Sequence, residues 1–190
     1  MSTIVVVKKN GVAAIGADTL TKYGDTKESA RFTENFSKII RVGDSYLAFV
    51  GHASFGLVLN SYFSKFAEPP MLNSRQSIFE TACQMHTALK RDYFLDPAEE
   101  DDDTFESSQL DCLIGNPAGI FGLYTLRFVQ QYSKFYAFGS GAQYALGAMS
   151  AIYETASSAE AIARSALTAA GDFDDGTEGP YEVSTVLGPE

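Results

Sequence analysis

Residues 2–18, Ser-Thr-Ile-Val-Val-Val-Lys-Lys-Asn-Gly-Val-Ala-Ala-Ile-Gly-Ala-Asp, carry the pattern that decides the fold. Ile4–Lys8 is rich in β-branched residues, and Val12–Ala17 is apolar again. Between them stands Asn10-Gly11, the dipeptide favoured in a two-residue turn. The stretch predicts a hairpin of buried strands at the very start of the chain. A second hairpin follows, with Lys38–Val42 and Tyr46–Gly51 joined by Gly43-Asp44. The polar residues Thr19–Thr33 form a long excursion between the two, ending near Phe36.

Helical periodicity then replaces strand patterning. Phe55, Val58, Leu59, Tyr62, Phe63 and Phe66 make one apolar face, stopped by Pro69-Pro70. A second helix starts at the capping residue Ser74 and runs through Ile78, Ala82, Met85, Leu89 and Tyr93. Pro97–Ser108 holds Glu99, Glu100, Asp101, Asp102, Asp103 and Glu106 and is expected to be a solvated loop. Strands return at Asp111–Gly115, Ile120–Leu126 and Lys134–Phe138. Two helices, Ala142–Glu154 and Ser158–Ala170, precede a last strand at Tyr181–Leu187, with Ser157 and Glu160 spaced as a capping box. Strands in succession and helices in pairs predict stacked sheets covered by helices, not a βαβ winding. No repeat or composition break divides residues 1–190, so one domain is expected.

Composition narrows the function. Of 190 residues, 45 % are hydrophobic and 20 % charged, as in a globular protein, and no apolar run reaches the length needed to span a bilayer. The 24 acidic and 14 basic side chains give a net charge of −10, which argues against a nucleic-acid partner. The opening lacks a secretory leader, and Cys83 and Cys112 are expected to stay reduced in a cytoplasmic protein. His52 and His86 have no acid at ligand spacing, so both are read as structural and no metal or cofactor is implied. Nucleophile-elbow, phosphate-loop and zinc-protease motifs are missing, and Gly139-Ser140-Gly141 is too short to claim a phosphate.

The chemistry therefore rests on the start of the chain. Met1 precedes the small residue Ser2, so aminopeptidase removal of Met1 would leave a hydroxyl beside a free α-amine. That amine is a base with an ordinary pKa of about 7.7–8.0. Alone, this opening is commonplace. The residues behind it change its meaning: Ser2–Gly11, Ile15-Gly16-Ala17-Asp18, Ser37-Lys38-Ile39-Ile40, Ala48-Phe49-Val50-Gly51, Gly139–Ala145, and Ala169-Ala170-Gly171-Asp172 leading to Thr177. In this order they resemble the proteasome β-type and HslV-like N-terminal-nucleophile peptidases, and most of all the bacterial proteasome homologues.

The resemblance implies an α+β, four-layer αββα sandwich and an endopeptidase. Ser2 would be the nucleophile, where the family usually has Thr. Asp18 would orient the catalytic lysine, Lys38 would tune the amine, Ser140 would help relay protons, and Asp174 and Thr177 would be the acid and hydroxyl that complete the cluster. The backbone N–H of Ala48, a position where the family typically has Gly, would hold the oxyanion. Ile40, Tyr46 and Val50 would line an apolar peptide pocket. Peptides or unfolded proteins would be cut inside stacked homo-oligomeric rings, fed by a separate unfolding ATPase. Thr3 stays open as an alternative nucleophile, and so do a non-catalytic ring protein and a small-molecule amidase of the same class.

Overall fold

The computed structural model describes residues 2–97 and 104–188; residues 98–103 of the acidic run lie outside the described part. The first hairpin forms as β1 (Thr3–Lys9) and β2 (Val12–Ala17). Asn10 and Gly11 both take positive φ, 51° and 74°, the handedness that lets a two-residue turn follow the strand twist. The polar excursion contains a small hairpin, β3 (Thr21–Tyr23) and β4 (Thr26–Glu28), then a 3-10 turn at Ala30–Phe32. The second predicted hairpin is β5 (Ile39–Val42) and β6 (Ser45–Gly51).

Helix α1 (Phe55–Phe63) stops a turn earlier than its apolar spacing predicts, and Phe66 packs edge-on against Tyr62 from beyond its end. Helix α2 (Arg75–Asp92) is capped by Ser74 in a reciprocal box with Ser77. Strands β7 (Leu110–Asn116) and β8 (Gly119–Leu123) follow. The predicted strand to Leu126 is cut at Leu123, because Tyr124–Arg127 turn the chain back, with Arg127 at φ 64°. The return forms β9 (Val129–Tyr132), which the pattern did not reveal, and then β10 (Phe135–Gly139). Helices α3 (Ala142–Ile152) and α4 (Ala159–Phe173) and strand β11 (Glu182–Leu187) complete the chain. The α4 cap is Ser158, which accepts from Ala161 N, rather than Ser157.

Two antiparallel sheets result, of order β10-β1-β2-β11 and β5-β6-β7-β8-β9. Ile4, Val6 and Ile15 pack between them against Ala48, Leu113 and Ile120. Val5, Val7 and Ala14 face α3 and α4, where Ile162, Ala166 and Leu167 are fully buried. Leu47, Phe49 and Ile114 face α1 and α2. The layers are therefore helix, sheet, sheet, helix, and β1 is apolar on both sides because both sides are covered. Full burial of a side chain such as Ile4 is worth roughly 1.5–3 kcal/mol, so this interior strand holds the first residues of the chain firmly in place.

Cys83 and Cys112 are free thiols, and burial pushes the Cys112 thiol well up. His86 is buried on α2, its Nε2 2.9 Å from Glu106 Oε2 and its Nδ1 2.9 Å from Ser108 Oγ. Glu106, read from the sequence as part of a solvated acidic run, is thus half of a polar anchor for the residues leading into β7.

Candidate active site

The site grows from the end of β1. β1 is flanked by β2 and β10, so Ser2 emerges between Asp18, just beyond β2, and Ser140, just beyond β10. Backbone bonds hold it there: Ser140 N donates to Ser2 O at 2.9 Å, and Asp18 N donates to Thr3 O at 3.1 Å. Gly139 is required by this close approach. Its φ is +102°, and a Cβ there would lie 1.9 Å from Ser2 O.

Lys38 reaches the same point from the residue before β5. Its Nζ donates to Ser2 Oγ at 2.9 Å, to Asp18 Oδ1 and Oδ2 at 2.9 and 2.8 Å, and to Leu20 O at 2.6 Å. Asp18 is fully buried, and its carboxylate also accepts from Thr3 N at 2.9 Å and Leu20 N at 3.0 Å. Burial pushes the Lys38 ammonium below its ordinary value, opposed by the charge of Asp18 and its hydrogen bond. It pushes the Asp18 carboxyl up, opposed by Lys38 and the backbone donors. The pair places a positive charge directly on the Ser2 hydroxyl.

A second group of residues surrounds the backbone of the same strand end. Ser140 Oγ and Thr177 Oγ1 both donate to Asp174 Oδ2, at 2.8 and 2.6 Å. Thr177 Oγ1 lies 2.5 Å from Thr3 Oγ1, which also accepts from Gly141 N at 3.1 Å. Ser2, Asp18, Lys38, Ser140, Asp174 and Thr177 are therefore brought together. Thr3 is fully buried and faces away from the cleft.

That cleft, about 840 Å3, opens beside Ser2 and Lys38, with Thr21, Lys22, Val50, Gly51, His52 and Leu57 among its walls. Two expected positions fall elsewhere. Ala48 is fully buried among residues between the sheets. Strand parity also turns its N–H away. Val42 and Ser45 pair across the two-residue turn, and Phe49 N donates to Lys38 O at 3.2 Å, so odd-numbered N–H groups of β6 face β5. The N–H of Ala48 faces Leu113 on β7. The N–H of Gly51 has the parity of Phe49 and lies past the start of β5, on the cleft wall. Tyr46 lies outside the cleft, in a separate groove with Arg41 and Tyr181. Ile40, which packs towards α1 and α2, and Val50, which packs between the sheets, both line the cleft, so of the three expected pocket residues only Tyr46 falls outside it. Counting from Gly43-Asp44 would have exposed the parity of Ala48 in the sequence itself.

Solved structures of similar proteins can now be set beside this geometry. The chain is 49 % identical to the bacterial proteasome homologue (BPH) of Thiobacillus denitrificans over 99 % of its length and all of the other chain, with a TM-score of 0.94. The same Thiobacillus protein in complex with epoxomicin matches at 48 % identity and a TM-score of 0.93, with the same coverage. The chain belongs to the bacterial proteasome homologue family. Eukaryotic HslV from Trypanosoma brucei shares the fold, at a TM-score of 0.69 and 18 % identity over 97 % of this chain and 99 % of that one. No protein-family model and no curated protein matches the sequence. The α+β sandwich is thus the N-terminal-nucleophile-hydrolase fold of a proteasome-like peptidase. No helix among the described residues is long and apolar enough to cross a membrane.

Proposed function

We propose that this chain is a self-compartmentalising endopeptidase subunit that uses Ser2 as its nucleophile once Met1 has been removed. The observation that carries this reading is the contact of 2.9 Å between Lys38 Nζ and Ser2 Oγ, with Lys38 held by a fully buried Asp18. The α-amine of Ser2 takes the proton of Oγ as Oγ attacks a peptide carbonyl, and then passes it to the leaving amine. The ammonium of Lys38 lowers the amine pKa, so more of it is neutral near pH 7. The N–H of Gly51, rather than that of Ala48, receives the oxyanion, and water hydrolyses the acyl-enzyme. Ser140, Asp174 and Thr177 orient the amine and relay its proton. Thr3 does not line the cleft and its hydroxyl is engaged by Thr177 Oγ1 and Gly141 N, which argues against Thr3 as the attacking group.

Stacked rings of identical subunits enclosing these sites, in the cytoplasm and supplied by a separate unfolding ATPase, complete the proposal. The epoxomicin complex of the Thiobacillus relative supports the choice of chemistry. An epoxyketone reports on both groups at once: the hydroxyl adds to the ketone and the neighbouring amine opens the epoxide, closing a ring. The test is epoxomicin labelling with peptide mapping, together with the intact mass of the purified protein. Loss of Met1 and an adduct on Ser2, absent in Ser2→Ala, is the expected result. A protein lacking Met1 and assembled into rings that gives no adduct would overturn the proposal and leave the non-catalytic ring protein.

A further inference from the structure

The charges of the cleft do not balance. Lys22 Nζ is held by Asp175 at 2.5 Å and Lys38 Nζ by Asp18. Two carboxylates, Glu34 and Glu182, also line the cleft, and among the described residues neither has an ion-pair partner. Glu182 is the more constrained. In the sheet it stands level with Ala17 and, one strand further on, Ile4, so the three side chains share a face. Ile4 and Ala17 belong to the layer between the two sheets, and the next residue, Val183, packs against the α3–α4 layer instead. Glu182 thus turns its carboxylate into the rim between the sheets, where Oε2 is buried without a hydrogen-bond partner.

A carboxylate oxygen shut off from water and from donors is costly, and it is the natural seat for a cationic group brought by something else. Arg41 and Arg164 line a neighbouring groove that Glu182 also borders, but Arg41 Nε donates to Gly43 O and Arg164 Nε pairs with Glu160, and among the described residues neither pairs with Glu182. Two strand spacings of about 4.8 Å put Glu182 roughly 10 Å from Ile4 across the sheet, two strands away from the one that carries Ser2. A Lys or Arg side chain on an extended peptide covers that reach a few residues from the scissile bond.

We infer that Glu182, seconded by Glu34, is a specificity residue that selects peptides carrying a basic side chain at a position distant from the cleaved bond. This rests on the peptidase reading above and adds a charge preference to it. It adds acidic groups to a cleft whose walls include the expected apolar residues Ile40 and Val50.

The test uses peptide sets that differ only by Lys, Gln or Glu at each position, measured in two ways. Cleavage by the assembled wild-type protein is compared with Glu182→Gln and Glu34→Gln, and binding of the same peptides to Ser2→Ala is followed by fluorescence anisotropy with and without Glu182→Gln. At one position the wild type favours Lys over Gln by about tenfold, a single factor of ten in the discrimination ratio. Glu182→Gln brings that ratio near one by lowering cleavage of the Lys peptide towards that of its Gln counterpart. The binding arm reads the preference without catalysis, so an inactive protein that still selects Lys peptides through Glu182 supports the inference even as the peptidase reading fails. A ratio unchanged by Glu182→Gln in both arms, or a wild type indifferent to charge, overturns it.

Discussion

Ser2 is flanked by two polar clusters that differ in almost every physical respect. On one side Asp18 is fully buried and the Lys38 side chain 13 % exposed, and together they form an ion pair wrapped by backbone donors and the carbonyl of Leu20. On the other side Ser140 is exposed, Asp174 is half-buried, and the bonds run through hydroxyls. The first cluster owes its strength to low dielectric and cannot lose a member cheaply. The second is partly solvated, so water can replace a missing group. In the proposed mechanism the chemistry of the hydroxyl is set on the dry side, and the wet side adjusts the orientation of the backbone.

The sharpest way to break this contrast is Lys38→Ala. It strands a buried carboxylate, which costs about 3–5 kcal/mol of stability, and in the proposed mechanism it removes the charge that activates Ser2. Peptide hydrolysis by a refolding-competent sample should fall by about 10²- to 10⁴-fold, the usual range for such groups, and both losses are read by turnover and urea unfolding. Asp174→Asn probes the wet side. Activity should fall roughly tenfold to a hundredfold, with stability within about 1 kcal/mol of wild type. Comparable stability losses in the two variants would erase the distinction.

A pH profile sharpens it further. The acid limb follows the α-amine, which must be neutral. The alkaline limb follows Lys38, whose ammonium is held below its ordinary value of 10.5 by burial. Between that depressed value and 10.5 the unfolded chain binds more protons than the folded one, so the Lys38 contribution to stability rises with pH while activity falls. Asp174→Asn should leave the alkaline limb in place. The smallest effect belongs to Ala48→Gly: kcat/KM stays unchanged because Ala48 does not line the cleft, and stability drops by about 1 kcal/mol for glycine in a buried strand.

Local patterning revealed most of the fold. Ile4–Ala17, the turn at Gly43-Asp44, the cap at Ser74 and the apolar faces of α1 and α2 all carry their instructions within a few residues. β9 escaped because Val129-Gln-Gln-Tyr132 is short and half polar, and β3 and β4 because Thr21–Glu28 has no apolar face. At the candidate site, the family pattern named Ser2 and the five residues that surround it, Asp18, Lys38, Ser140, Asp174 and Thr177. It misplaced the oxyanion donor because resemblance aligns side chains, whereas a backbone donor is chosen by strand parity. Glu182 was invisible for another reason: its placement depends on β11 pairing with β2, a contact between residues far apart in the chain.

The glycine at position 139 has a practical consequence for anyone handling this protein. Ser2 is pinned by its neighbours on both sides, and any residue joined ahead of it turns its α-amine into an amide. An amino-terminal purification tag would therefore mask the amine until a protease trims it flush with Ser2. Tags belong after β11, at the opposite end of the chain.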